Sequence, residues 1–319
     1  ANTVKSVNTV GTLNAARTPD GSVNSDFGIA GRNSPPISFV VAHFDHAVRP
    51  ESSLDAAFVR ELAVTSGFSP FIERRSPDHA ERNGNSEAAL RSERYQFLKH
   101  VAERTSADTV WLAHTLDDQI ETVLHRILRG TGVRGLAGIP VTRTLSPGVT
   151  IFRPLLSVER NSIVTFLKSV GQNWRNDETN ALNTFTRNRI RHLLLPELEK
   201  KYAPGTRNAL KRLAIIASEC DDFVHSMTRN LSYGAVRYPS EYPDEIQILR
   251  SPLENVHDYL VKELFADVWR EAGWAEAGMG YEQWNAMLLM LRERTPRCRM
   301  FPGNVRATVR RATLTLRKE

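Results

Sequence analysis

The chain has 319 residues, 42 Lys plus Arg and 36 Asp plus Glu, enough for two domains and a modest basic excess that favours an anionic partner. Arg far outnumbers Lys, which suits bidentate phosphate contacts better than a diffuse cationic tail. The two cysteines, Cys220 and Cys298, form no C-x-x-C pair, no apolar run reaches the roughly eighteen residues of a membrane span, and the N-terminus lacks signal-peptide order. Thiolate metal sites, a disulfide framework and a membrane role are therefore excluded, and a soluble protein of the reducing cytoplasm is expected.

Residues 1–36, which begin at Ala1 and not at Met, are rich in Ser, Asn, Thr, Gly and Pro without a period of either kind, and read as loop or disorder. The character changes at Ile37: Ile37 to Ala42 reads as a buried strand, followed by the polar cluster His43 to Arg49. Ser53 caps a helix carrying Leu54, Ala57, Phe58, Leu62 and Ala63, ended by Gly67. A strand near Pro70 to Glu73 leads to a helix over Ser86 to Glu103 with the stripe Leu90, Phe97, Leu98 and Val101. Arg94 falls inside that stripe, and a guanidinium on a core-facing stripe needs a partner or a route to the surface.

The apolar run Thr109 to Ala113 predicts a strand, and from Leu116 the recurrence Leu116, Ile120, Val123, Leu124, Ile127 and Leu128 predicts an amphipathic helix closing near Gly130. A strand end thus delivers His114, and a helix start delivers Asp118 and Glu121, to the edge where open α/β sheets bind ligands. Thr115 with Asp118 also reads as a capping box, which needs no function. Gly130, Gly132, Gly135 and Gly138 predict a tight loop where backbone approaches something closely, with Arg129 and Arg134 in it. A strand at Val149 to Phe152 runs into Arg153, then a helix through Ile163, Phe166 and Leu167, then a polar connection over Trp174 to Asn183. Thr186 to His192 is a basic helix start. Beyond Gly205, where the domain boundary is placed, long amphipathic segments at Asn208 to Leu231, Asn255 to Ala272 and Tyr281 to Glu293 precede short antiparallel strands between Arg299 and Leu316 around Pro302-Gly303-Asn304. The organisation expected is an irregular segment 1–36, an α/β domain 37–205 with a parallel sheet, and a mainly helical domain 206–319 with a small terminal β-sheet.

Histidines and carboxylates at strand ends, His43, Asp45, His46, His114, Asp118 and Glu121, with Arg94, could bind a divalent metal, orient an amine substrate or transfer protons, and spacing alone does not choose. A metal-dependent phosphohydrolase built on His43, Asp45, His46, His114 and Asp118 is one alternative.

The pieces AHFDHAVR (Ala42 to Arg49), SERYQFL (Ser92 to Leu98), AHTLDDQIETVLHRILRGTGVRGLAG (Ala113 to Gly138), FRPLL (Phe152 to Leu156), WRNDETN (Trp174 to Asn180), RNRIRHLLLPEL (Arg187 to Leu198) and FPGNVRA (Phe301 to Ala307) resemble, in order, the tRNA(Ile)-lysidine synthases of the PP-loop ATP pyrophosphatase superfamily. The resemblance implies a PP-loop (adenine nucleotide alpha hydrolase-like) domain and ATP-dependent ligation of free L-lysine to C2 of the wobble cytidine of an isoleucine tRNA with a CAU anticodon. It implies ATP with Mg2+, with no protein ligand to the metal named, and an oligomeric state left open, a homodimer included. It further implies that Arg94, His114, Asp118 and Glu121 form the lysine-binding and catalytic group, and that His43, Asp45, His46, Gly130 and Gly132 line the nucleotide site. Arg153, Arg187, Asn188 and Arg191 would contact tRNA or phosphate, though a solvated basic helix face would look the same.

One departure stands out. The family's S-G-G-x-D-S loop, whose backbone cradles ATP phosphates, is absent; the nearest string, Asp20-Gly21-Ser22-Val23-Asn24-Ser25, keeps one glycine and has Asn24 where the acid belongs. The composition break at Ile37 points to a truncated or mistranslated N-terminal segment, and a catalytically impaired tRNA-binding homologue is the alternative reading.

Overall fold

The computed structural model describes residues 8–12, 38–48, 51–78, 84, 86–175, 186–240 and 244–319. It divides into two compact units, Ala1–Ala214 and Ile215–Glu319. The first unit is built on strands β1 (Asn8–Thr12), β2 (Ser38–Asp45), β3 (Ser69–Arg74), β4 (Thr109–Trp111), β5 (Thr142–Ser146) and β6 (Val149–Phe152), in the sheet order β3-β2-β1-β4-β6-β5. The pairs β2 with β3 and β4 with β6 are parallel, as the alternation of strand and helix predicts.

Two strands depart from that expectation. Inside the segment read as loop, β1 fills the central slot, antiparallel to both neighbours, with Val10 opposite Val40 and Val110. Backbone donors and acceptors of β2 and β4 would otherwise lie unpaired in the middle of the sheet, and a tertiary demand of that kind leaves no period in a five-residue polar stretch. The second is β5, an antiparallel edge strand whose exposed Thr142, Arg143 and Thr144 give no buried alternation to read. The string Asp20 to Ser25 lies outside the described residues.

Helices α1 (Ser52–Thr65) and α2 (Glu87–Thr105) follow β2 and β3. Ser86 caps α2 by accepting from the Ala89 amide. Of the predicted stripe Phe97, Leu98 and Val101 are buried, with Ala102 beside them, against Ala42, Val110 and Ile151, while Leu90 is half-buried. Full burial of Leu98 or Ile151 stabilises by about 2 kcal/mol each. The next helix, α3 (Leu116–Leu128), carries its apolar face of Leu116, Ile120, Val123 and Leu124 against Ile190, Leu195, Leu210 and Ala214. This packing matters for function, because it docks the acidic start of α3 against the basic helical run 186–202, which alternates α and π segments. A one-turn helix α4 (Val133–Leu136) lies in the glycine-rich turn, and α5 (Arg160–Ser169) follows β6; on α5 the stripe residue Phe166 is 63% exposed.

The division between units falls inside helix α6 (Thr206–Ala235), beyond the Gly205 turn. The second unit has helices α7 (Asp258–Glu271) and α8 (Tyr281–Glu293) with an antiparallel sheet of β7 (Val236–Arg237), β8 (Glu245–Leu249), β9 (Cys298–Phe301), β10 (Val305–Arg310) and β11 (Thr313–Lys318), in the order β7-β8-β11-β10-β9. Trp269, Phe265, Met287, Leu314 and Leu316 centre its core. No helix among the described residues is long and apolar enough to cross a membrane.

Candidate active site

The capping and charge roles of Asp118 separate by atom. Its Oδ2 accepts from the Thr115 amide at 2.8 Å and the Thr115 hydroxyl at 2.9 Å, closing the capping box of α3. Its Oδ1 faces three guanidiniums: Arg187 and Arg191 at 3.3 Å each, and Arg160 at 3.6 Å. One turn on, Glu121 is 1% exposed and takes Arg191 in a two-pronged pair through both carboxylate oxygens, with Arg187 Nε donating to Oε2 at 3.2 Å. Burial pushes the Asp118 carboxyl up, but Arg187, the Thr115 amide and Arg160 together outweigh it and hold the group below its ordinary value. Burial likewise works against the Arg191 charge, and Glu121, Asp118 and Asp117 overcome it.

Asp117 joins the acidic helix start to a third element. Its Oδ2 accepts from the Arg160 amide at 2.9 Å, capping α5 from outside, and its Oδ1 accepts from Arg207 at 2.9 Å. Beside it opens a cavity of about 390 Å³ lined by Asp117, Arg160, Arg191, His192, Arg207 and Asn208 among others. Arg160 escaped the sequence reading although a signal existed: a cation in the first turn of a helix opposes the helix dipole, and its presence there implies a nearby anion.

His114 is the link to the other predicted residues. Arg153 donates from Nε to His114 Nδ1 at 3.3 Å, so the imidazole hydrogen sits on Nε2. Burial, then repulsion from Arg153, Arg94 and Arg91, lowers its pKa to about 3 against the pull of Asp118, and the ring is neutral. Arg94 acts on His46 as well, which burial and the charges of Arg94, Arg75 and His43 lower to about 4 against Glu93. Arg94 thus works against a positive charge on both His114 and His46. Asp45, 3% exposed, accepts from the Ala47 amide at 2.9 Å with its Oδ1, and His43 is buried beside it on β2. A further pair unforeseen from sequence, Arg75 with Glu93 at 2.6 Å, is buried at the β3 end of the same edge.

Arg187 and Arg191 are engaged on Glu121 and Asp118, Asn188 is buried, and Arg153 is 2% exposed with Nη1 donating to Pro140 O at 2.7 Å. The close approach predicted for the glycine turn is to the chain itself: a side chain at Gly138 would meet Gln119 Oε1 at 2.5 Å, and at Gly135 it would meet Thr131, whereas Gly130 and Gly132 face open space. The Gly130 amide donates to Ile127 O, and Arg126 and Gln119 tie down the carbonyls of Gly135, Ala137 and Gly138. The 135–138 side of that turn is held by Gln119 and Arg126. Among the described residues no group of three or more His, Cys, Asp or Glu is placed to hold a metal ion, which leaves the phosphohydrolase alternative without a ligand set there.

A family profile described as PP-loop domain matches residues 23–198, more than half of the chain. A tRNA(Ile)-lysidine synthase of Deinococcus deserti is 40% identical over 200 residues, 62% of this chain and 36% of that one. The synthase of Thermus thermophilus is 42% identical over 186 residues (56% and 34%), and that of Rhodopirellula baltica 36% identical over 197 residues (60% and 49%). The matched stretch therefore spans a third to a half of these relatives. A solved U34-tRNA thiolase from Methanococcus maripaludis is similar at a TM-score of 0.44 and 13% identity, covering 56% of this chain and 61% of that one.

Proposed function

The chain belongs to the PP-loop family, and from that premise we propose that it ligates lysine to C2 of the wobble cytidine of an isoleucine tRNA with a CAU anticodon, using ATP with Mg2+. The cytosine C2 oxygen would take the adenylyl group from ATP with pyrophosphate leaving. The lysine amine would then attack C2, with the C2–O bond breaking and AMP leaving. The carrying observation is the cluster of Asp118 and Glu121 with Arg160, Arg187 and Arg191, reached from β4 through neutral His114. Free lysine carries two ammonium groups and one carboxylate; once the attacking amine has given up its proton the remainder is a zwitterion, which can enter such a network without changing its net charge: the remaining ammonium takes a carboxylate oxygen while the amino-acid carboxylate takes the guanidinium so released. Neutral His114, with its Nε2 hydrogen, offers a donor and not a second cation. Arg94 is kept with His114 in the lysine-binding group, and His43, Asp45 and His46, on the same edge, are assigned to the nucleotide side.

The described residues supply no glycine-rich cradle for phosphates, so no step at the phosphates is assigned to them. That gap, with Asp20 to Ser25 in place of S-G-G-x-D-S, favours one second reading: a homologue that binds tRNA without catalysis. Mixing the full chain with ATP, lysine and isoleucine tRNA transcript and following pyrophosphate separates the two. Release that requires the tRNA supports ligation; salt-sensitive tRNA binding without release supports the second. Asp118→Asn tests the site itself, since Asn keeps capping ability and loses the charge. Lysine dependence is expected to go while tRNA affinity holds within about twofold, because an anionic carboxylate offers nothing to a phosphate backbone; equal loss of both would make Asp118 a cap and no more.

A further inference from the structure

With Arg187 and Arg191 drawn onto carboxylates and Arg153 buried, the cations available to an external anion lie elsewhere on the first unit. Arg91 on α2 and Arg143 on β5 place their guanidinium carbons 4.9 and 5.0 Å from the ring centroid of Tyr95, and Arg91 Nη2 lies 3.1 Å from the Tyr95 hydroxyl. Arg134 of α4 is exposed like both of these, and half-buried Arg126 of α3 extends toward it beneath the glycine turn. Among the described residues no carboxylate pairs with Arg91, Arg126, Arg134 or Arg143, whereas Arg75, Arg160, Arg175, Arg187, Arg191 and Arg207 each face one. We infer that Arg91, Arg134 and Arg143, gathered around Tyr95 and Arg126, are the surface on which this chain holds the phosphate backbone of an RNA.

Three observations shape the inference, which rests on the tRNA reading above and deepens it. The guanidiniums are near enough to repel: after burial, Arg134 and Arg91 depress the Arg126 charge, and Arg143 and Arg91 that of Arg153. Like charges held together without internal neutralisation create the local field that draws a polyanion and releases its counterions. Tyr95 is 9% exposed and covered by arginines, so it offers no open ring for base stacking; the patch positions a backbone and does not read bases. Arginine forks also match the paired oxygens of a phosphodiester better than lysines would. The cluster draws on four separate elements, and for that reason no run of sequence announces it.

The test is tRNA binding by the full chain as a function of salt, with isoleucine tRNA transcript as probe. Arg91→Gln, Arg134→Gln and Arg143→Gln are each expected to weaken binding about three- to tenfold and to lower the slope of log affinity against log salt by about one, and the triple variant by about three. The triple Lys variant should keep the slope, which separates charge from folding, and Arg60→Gln on exposed α1 should change neither quantity. A triple Gln variant with an unchanged slope, or Arg60→Gln matching the patch variants, would overturn the inference and leave the ligase reading standing. Absence of salt-dependent tRNA binding by the unaltered chain would overturn both. A patch that binds an acidic protein tightly, with tRNA affinity indifferent to the three substitutions, would also sink it.

Discussion

Glu121 and Asp118 show how position on one helix turn sets what a carboxylate can do. Glu121 is buried and shared between two guanidiniums, so neutralising it takes from Arg191, whose side chain is 10% exposed, its two-pronged partner and leaves it facing Asp118 Oδ1 at 3.3 Å. Breaking a buried pair from one side costs about 3 kcal/mol or more where the remaining charge is left unpaired, and Asp118 holds Arg191 toward the low end of that range. Glu121→Gln is therefore expected to lower the unfolding free energy in urea by about that amount. Glu121→Gln with Arg191→Gln should recover part of it; strictly additive losses would mean the two do not share the energy. Arg187, at 28% side-chain exposure, retains access to water, and Arg187→Gln should cost under about 1 kcal/mol.

At the scale of elements, what could be read from sequence was whatever repeats within one element. The inner part of the α3 stripe, the cap at Thr115 and the terminal hairpin around Pro302-Gly303-Asn304 carry their own period or turn chemistry and form as expected, whereas Ile127 and Leu128 at the end of that stripe are exposed and Ser53, read as a cap, lies inside α1 after Glu51. Strands β1 and β5 exist because a neighbour needs pairing, and that need is written in the neighbour. The site divides along the same line. Asp118 and Glu121 stand out as acids at a helix start, but their partners Arg187 and Arg191 lie 66 to 73 residues away, and a basic helix start looks identical whether it faces water, phosphate or a buried acid. The glycine turn was legible as a close approach without revealing to what. Gly138 has φ +73° and Gln119 where a side chain would go, while Gly132 has φ −81° and open space. Gly138→Ala is thus expected to destabilise by about 1–2 kcal/mol or more from the backbone term alone, and Gly132→Ala to be neutral or slightly stabilising. Paired urea melts read the difference, and equal effects would mean that Gln119 and Arg126 do not hold the turn.

For the molecule as a whole, the basic excess is less informative than where charge is forbidden. His46 and His114 are kept neutral inside the first unit by burial and surrounding arginines, with pKa values of about 4 and about 3 against 6.5 when unfolded. The unfolded chain therefore takes up protons first as pH falls. Stability from this source is complete above about 6.5, declines below it by up to about 1.4 kcal/mol per pH unit for each group, and levels off only beneath the folded values. Asp118 has the opposite requirement: its lowered pKa contributes stability above the unfolded value of 3.8, lost as pH falls through the folded one, so it has no part in the range from 6.5 to 4. Urea midpoints of the full chain taken from pH 7 to 5 should accordingly fall, and His46→Gln should flatten that decline while costing little at pH 7, since Gln has no charge to acquire. An unchanged slope in His46→Gln would mean that His46 takes up its proton equally readily in the folded chain, and the arginine field around it would then be far weaker than the geometry requires.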